Sequence, residues 1–241
     1  MKRRPFWIYI LLFLAAQVSG MLFASSGPVL MLLFVNIIAI VLYLLAAGAY
    51  TRDRAYKAYR PYGPHWAVSF LLLALAPPCI FLVNYAQEML PSLPDIVPEQ
   101  SLTELLTTPL GLLTACILGP LSEELLFRAG VLGSLLQRCR PWTAIVWSAV
   151  IFALIHANPA QMPAAFFLGL LLGYAYYSTH SILTPLIIHI FNNSIAAAWP
   201  DTSFTHALTT PWHHIAAVTI AVVWAASIIY LLYRHTKMAH R

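Results

Sequence analysis

Apolar residues run along this chain in blocks of about twenty, separated by short polar stretches, and inside the blocks there is no period-two alternation. A bilayer core takes roughly 20 helical residues per crossing. Without strand alternation a membrane barrel is excluded, and helices are the remaining way to satisfy the backbone in lipid. Eight segments fit: residues 6–24, 28–50, 66–85, 105–136, 141–157, 162–179, 181–199 and 212–233. The expected fold is all-α, a polytopic membrane protein with about eight transmembrane helices. The loops near 51–65 and 86–104 are too short to fold alone, so residues 1–241 read as a single membrane domain.

Composition agrees: 61% of the 241 residues are hydrophobic and 9% are charged, against about a quarter charged in soluble domains. The charges also sort by side. With Lys2, Arg3 and Arg4 in the cytoplasm, eight crossings return Arg52, Arg54, Lys57, Arg60, Arg138, Arg140, Arg234, Lys237 and Arg241 to that side. Glu88, Asp95, Glu99, Glu104 and Asp201 fall opposite. Twelve of thirteen basic residues thus follow the positive-inside rule, which places both termini in the cytoplasm, and the expected location is the cell membrane. The net charge of +5 is a topology signal, and nucleic acid is not an expected partner. The opening "MKRRPFWIYILLFLAAQVSG" also has the shape of a signal peptide. An even number of crossings is needed to bring the C-terminal basic cluster inside, which favours an uncleaved first span. Cys79, Cys116 and Cys139 lack paired spacing and read as small apolar residues.

The thirteenth base is Arg128, in "GPLSEELLFRAG" with Glu123 and Glu124. Charges at membrane depth are expensive and usually functional. At 100° per residue Glu124 and Arg128 share a helix face, with the glutamate first, the favourable order. Glu123 is rotated away. One carboxylate is then paired and held as the anion, and the other is left to exchange a proton, as a general base requires. A helix staple would need one pair only.

Partners stand on two later spans. His156 follows Phe152 by one turn in "SAVIFALIHANPA". His189 and Asn193 share a face in "SILTPLIIHIFNNSIAAAW", with Asn192 slightly off it. A lone histidine in an apolar helix usually packs; two histidines and an amide in spans neighbouring the glutamates suggest a common site. By the rise of an α-helix, Glu124 and His156 lie about 21–23 Å from the cytoplasmic ends of their helices, but His189 only about 12 Å. Pro185 is an expected kink in the seventh span, and Pro120 one in the over-long fourth. Gly119, Gly130 and Gly133 allow close helix approach.

"EELLFR", "FALIH" and "HIFNN" fit E-E-x-x-x-R, F-x-x-x-H and H-x-x-x-N. In that order, on three membrane helices, they resemble the CAAX-protease and bacteriocin-processing family of intramembrane proteases. The resemblance covers about residues 105–200, a motif-bearing catalytic core. It implies hydrolysis of a peptide bond in a membrane-associated peptide or protein substrate; family members cleave prenylated C-terminal tails or process or resist peptides. By the family pattern Glu123 and His156 activate water, Glu124 and Arg128 support the site, and His189 and Asn193 stabilise the oxyanion. The family is commonly classed as metalloprotease, and two mechanisms stay open. Glu123, His156 and His189 can bind Zn²⁺ that acidifies a water, although no H-E-x-x-H helix is present. Alternatively, a glutamate–histidine pair acts without metal; Asn193, a poor zinc ligand, leans toward that scheme.

Ser122 has no nucleophile elbow around it and is expected to pack or bond back to its helix. Two rivals share the same residues. A proton-coupled transporter should show inverted repeats, and none is visible. A non-catalytic scaffold or bacteriocin self-immunity protein would keep the site for binding. Substrate-lining candidates are Phe152 and Asn192, then Phe166, Phe167, Gly169, Gly173, Tyr174 and Phe191. His206, His213 and His214 belong to the outer interface before the last span.

Overall fold

The structure, a computed structural model, describes residues 5–50, 65–89, 93–198 and 208–239. The expectations placed on Lys2, Arg3, Arg4, Arg52, Arg54, Lys57, Arg60, Asp201, His206 and Arg241 lie outside the described residues. Within them the elements are helices: α1 (Trp7–Gly20), α2 (Pro28–Tyr50), α3 (His65–Glu88), α4 (Glu99–Thr107), α5 (Pro109–Leu135), α6 (Pro141–Ile155), α7 (Met162–Thr179), α8 (Leu183–Ala198) and α9 (Pro211–Ala239). A 3₁₀ turn, Met21–Ser26, extends α1, and Gly27 at φ +92° reverses the chain into α2, a backbone that needs the missing Cβ.

Among the described residues five helical stretches are long and apolar enough to cross a membrane: Trp7–Ser26, Pro28–Ala47, Trp66–Glu88, Pro109–Leu135 and Pro211–His235. Pro141–Ile155 and Leu183–Ala198 are apolar but shorter. The chain is an integral multi-pass membrane protein. Its surface shows the same thing, since Leu22, Trp66 and Trp212 are more than 70% exposed while Asn36, Glu124 and Arg128 are buried. Large apolar side chains outside and charges inside suit hydrocarbon as the solvent.

One expectation about the fourth segment is corrected. It does not run unbroken from Leu105, because Pro109 drives Thr108 into extended backbone (φ −102°, ψ 141°) and ends α4 there. Thr108 Oγ1 then accepts from Gly111 N–H at 3.1 Å and caps the new helix. Pro120 itself lies within α5. The helix absorbs it between two π-wound stretches, Thr114–Leu118 and Glu124–Leu132. In π winding each N–H reaches the carbonyl five residues back, as Gly119 N–H does to Thr114 O. By the same register the Ala115 carbonyl faces Pro120, which has no N–H to give.

The packing around α5 is close. Phe13 of α1 meets Phe127 edge-on at 5.4 Å, and Phe127 meets Phe152 of α6 likewise at 5.5 Å. Gly130 lies under the Tyr9 ring, where an added Cβ would come within 2.6 Å of ring carbons. Gly130→Ala is therefore expected to cost about 1–3 kcal/mol by overpacking. Gly173→Ala, whose nearest clash is Ile145 Cγ2 at 3.2 Å, should cost less. Denaturant unfolding of the detergent-solubilised variants checks the order. A second apolar cluster, with Leu72, Leu172, Ile188 and Leu232, joins α3, α7, α8 and α9. The polar side chains gather where α5, α6 and α8 meet.

Candidate active site

Glu124 and Arg128 both have fully buried side chains, and Arg128 Nε stands 3.3 Å from Glu124 Oε2. The contact is a charge pair without the alignment of a hydrogen bond. The terminal nitrogens of Arg128 likewise have no hydrogen-bond partner among the described residues. The guanidinium is instead seated on an aromatic face, with its Cζ 4.4 Å from the centroid of Phe152. Phe152, itself fully buried, thus supports the cation rather than lining an open wall. Its ring also meets His156 and His189 edge-on, at 4.9 and 5.9 Å.

His189 lies between the two glutamates. Its Nδ1 is 2.8 Å from Glu124 Oε1, and its Nε2 is 3.7 Å from Glu123 Oε2. A carboxylate paired to Arg128 only accepts, so Nδ1 carries the proton in that bond. His189 and Glu124 meet although straight-rod depth sets them apart, and the winding of α5 removes part of that difference. A helix bonded five residues back rises less per residue than an α-helix, so Glu124 lies nearer the end of α5 than straight-rod arithmetic suggests. Glu123 is the exception in this cluster: its side chain is 24% exposed, against none for Glu124.

His156 caps its own helix. Its N–H bonds Ala153 O, which leaves the Phe152 carbonyl without a helical partner, and His156 Nδ1 takes that carbonyl at 2.7 Å. A carbonyl cannot donate, so Nδ1 holds the hydrogen and Nε2 keeps its lone pair in the neutral ring. Asn193 does something the sequence did not suggest. Its Nδ2 donates to Ala115 O at 3.0 Å, the carbonyl stranded opposite Pro120. Asn192 Nδ2 donates in turn to Asn193 Oδ1 at 3.1 Å. One N–H of the Asn193 amide is therefore committed to the backbone of α5, and the other remains for a ligand.

The remaining candidates divide. Asn192 and Phe167 line a cleft with Cys79, Ile80, Val83 and Asn84 of α3 and Ala164, Leu168 and Leu171 of α7. Gly169 lies against Ala149, Gly173 against Ile145, and Tyr174 stacks on Trp142 at 5.5 Å, so these three serve helix packing. Phe166 packs against the core, and Phe191 is 41% exposed. Ser122 Oγ bonds back to Gly119 O at 2.9 Å and reaches Asn36 Oδ1 at 2.7 Å, which ties α2 to α5 just before the glutamates. Asn36, a lone amide in "FVNIIAI", was the legible signal for that tie. His214 Nδ1 and the Tyr85 hydroxyl share a hydrogen bond of 3.1 Å that joins α9 to α3. Cys79, Cys116 and Cys139 are free thiols.

Zinc needs three such side chains turned to one point. Among the described residues no three His, Cys, Asp or Glu side chains are grouped to hold a metal ion. Glu123 faces His189 across 3.7 Å, and both histidines have Nδ1 hydrogen-bonded and Nε2 uncommitted, a state equally open to binding a metal or a water. Glu123, His156 and His189 are not drawn together as such a group.

The similarities to known proteins fall on these same helices. Residues 105–195 match the family described as type II CAAX prenyl endopeptidase, Rce1-like. The stretch that carries the site is thus similar to a CAAX-protease-family domain. A Bacillus subtilis (strain 168) protein named "Putative membrane peptidase YdiL" is 29% identical over 86 residues, 36% of this chain and 35% of that protein. The "Membrane-embedded CAAX protease MroQ" of Staphylococcus aureus (strain USA300) is 31% identical over 91 residues, 35% of this chain and 37% of its own length. The matched stretch spans about a third of the length of these relatives. No solved structure matches.

Proposed function

We propose that this chain is an intramembrane endopeptidase of the CAAX-protease type, acting on a membrane-associated peptide or protein through a water activated by Glu123 and His156 without a metal. The observation that carries the reading is the division between the adjacent glutamates. Glu124 is locked by Arg128 and His189, while Glu123 is the partly open carboxylate beside the same imidazole.

In this scheme a water between Glu123 and His156 Nε2 gives its proton to the carboxylate as its oxygen attacks the scissile carbonyl carbon. The carbonyl oxygen becomes an anion and is met by His189 Nε2–H and the free N–H of Asn193. In this scheme His189 carries a hydrogen on each ring nitrogen, Nδ1–H on Glu124 and Nε2–H for the oxyanion. The C–N bond then breaks, and the leaving amine takes the proton held by Glu123. The carbonyl oxygen returns to a double bond, and two chain ends remain. The positive-inside count further supports cytoplasmic termini.

The test uses the full-length protein in liposomes, with a prenylated CAAX peptide and a set of transmembrane peptides as probes. Cleavage is expected to survive a strong zinc chelator, with substoichiometric zinc by elemental analysis. His156→Ala is expected to lower kcat by about 10²–10³-fold. Loss of cleavage on chelation, restored by Zn²⁺, would overturn the metal-free step. Absence of cleavage of every probe would return the chain to a scaffold or self-immunity role.

A further inference from the structure

The α6–α7 connection starts at His156 and immediately departs from ordinary geometry. Ala157 has φ +52°, a left-handed backbone in a residue that is not glycine, and such positions cost on the order of 1 kcal/mol and persist only where their surroundings hold them. The surroundings here are supplied by a distant segment. Asn158 is 1% exposed, and its Nδ2 donates to Asp95 Oδ1 at 2.9 Å. Its Oδ1 accepts from Ile96 N–H at 3.4 Å and Ala160 N–H at 3.3 Å. Ala160 N–H also reaches Pro94 O at 3.2 Å, and Gln87 of α3 donates to Ala160 O. The Asn158 carbonyl then accepts from Gln161 N–H and Met162 N–H at 3.0 and 3.1 Å and opens α7. Residues 94–96 are thereby strapped across the turn that begins at His156.

We infer that Asp95 and Asn158 are positioning residues for His156, and that the α3–α4 connection is a working part of the site rather than a passive linker. The inference rests on the proposed hydrolysis for its kinetic consequence, while the strap itself is a matter of structure. Asp95 touches none of the candidate catalytic groups; its Oδ1 accepts from Val97 N–H at 2.9 Å and from Asn158. Its action runs through the turn. With the clasp shut, Ala157 stays left-handed, α6 ends at Ile155, and His156 Nδ1 stays on the Phe152 carbonyl. With it open, the last turn of α6 frays. His156 then loses the carbonyl that fixes its hydrogen on Nδ1, and its ring is no longer held in the one orientation on which the proposed hydrolysis depends.

An exchange of the two side chains tests this. Asp95→Ala removes the acceptor, and Asn158→Asp sets two carboxylates face to face. Each is expected to lower kcat about tenfold or more while KM changes less than about twofold, because misplacement of a reacting group falls on the chemical step. The double variant Asp95→Asn with Asn158→Asp restores one donor and one acceptor in reversed order. It is expected to recover kcat to within about threefold of the parent. Hydrogen exchange of the 153–162 amides provides a readout apart from catalysis: faster in each single variant, slow again in the double. Singles that lose kcat without recovery in a folded double variant would overturn the clasp, as would unchanged exchange at 153–162. If the parent protein cleaved no probe, the hydrolytic reading would fall, and the exchange series alone would still decide the clasp.

Discussion

Glu123→Gln is expected to lower kcat for peptide hydrolysis by about 10²–10⁴-fold, the range that a positioned general base contributes. The amide keeps the size of the carboxylate but takes no proton from water. Stability should hardly change, because Glu123 is partly open and its ionic neighbour, His189, is 3.7 Å away. Glu124→Gln should behave in the opposite order. It removes the charge that balances a fully buried Arg128 and weakens the 2.8 Å bond to His189, so stability falls along with rate. Measuring kcat in liposomes beside unfolding in detergent separates the two glutamates. A Glu123→Gln protein that hydrolysed at the parent rate would remove the base from the scheme.

Arg128→Met is expected to cost about 3–5 kcal/mol, the penalty for stranding one member of a buried ion pair. The methionine fills much of the volume but leaves Glu124 as an anion with only His189 Nδ1 for company. Lysine is not expected to rescue it. A guanidinium can lie flat on Phe152 while Nε faces Glu124, whereas an ammonium is a compact point charge. Removing both charges, as Glu124→Gln with Arg128→Met, should recover a good part of the loss, since a neutral pair carries no uncompensated charge. Denaturant titration of the four proteins gives the coupling directly. If Arg128→Met unfolded within about 1 kcal/mol of the parent, the pair would contribute no more than a surface contact.

The parts of the site that are legible in the sequence are the local ones. Glu124 and Arg128 are four residues apart, and helical periodicity alone puts them side by side. The break at Pro109 is legible too, since threonine before a proline is a helix-start signal, but the apolar run from Leu105 masks it. The meeting of His189 with Glu124, 65 residues away along the chain, does not follow from straight-rod helix depth, which takes no account of tilt or of the winding of α5. The bond from Asn193 to the Ala115 carbonyl is equally hidden. It depends on Pro120 falling at the one register where a π-wound helix needs a donor. Phe152 reads as a substrate wall in one dimension and lies under a cation in three.

What the amino-acid order determined by itself is the helical class, the membrane as solvent, and the identity of the few ionisable groups set within it. These follow from composition and from spacings of one helical turn, because a backbone in lipid has few ways to satisfy its polar groups and charges there are rare. Only the tertiary structure decided the π winding of α5, the nitrogen that each histidine commits, and the strap from Asp95 to Asn158. Each depends on the depth and rotation of one helix against another. Those quantities are set by contacts between residues far apart in the chain, and hydrophobic periodicity does not encode them.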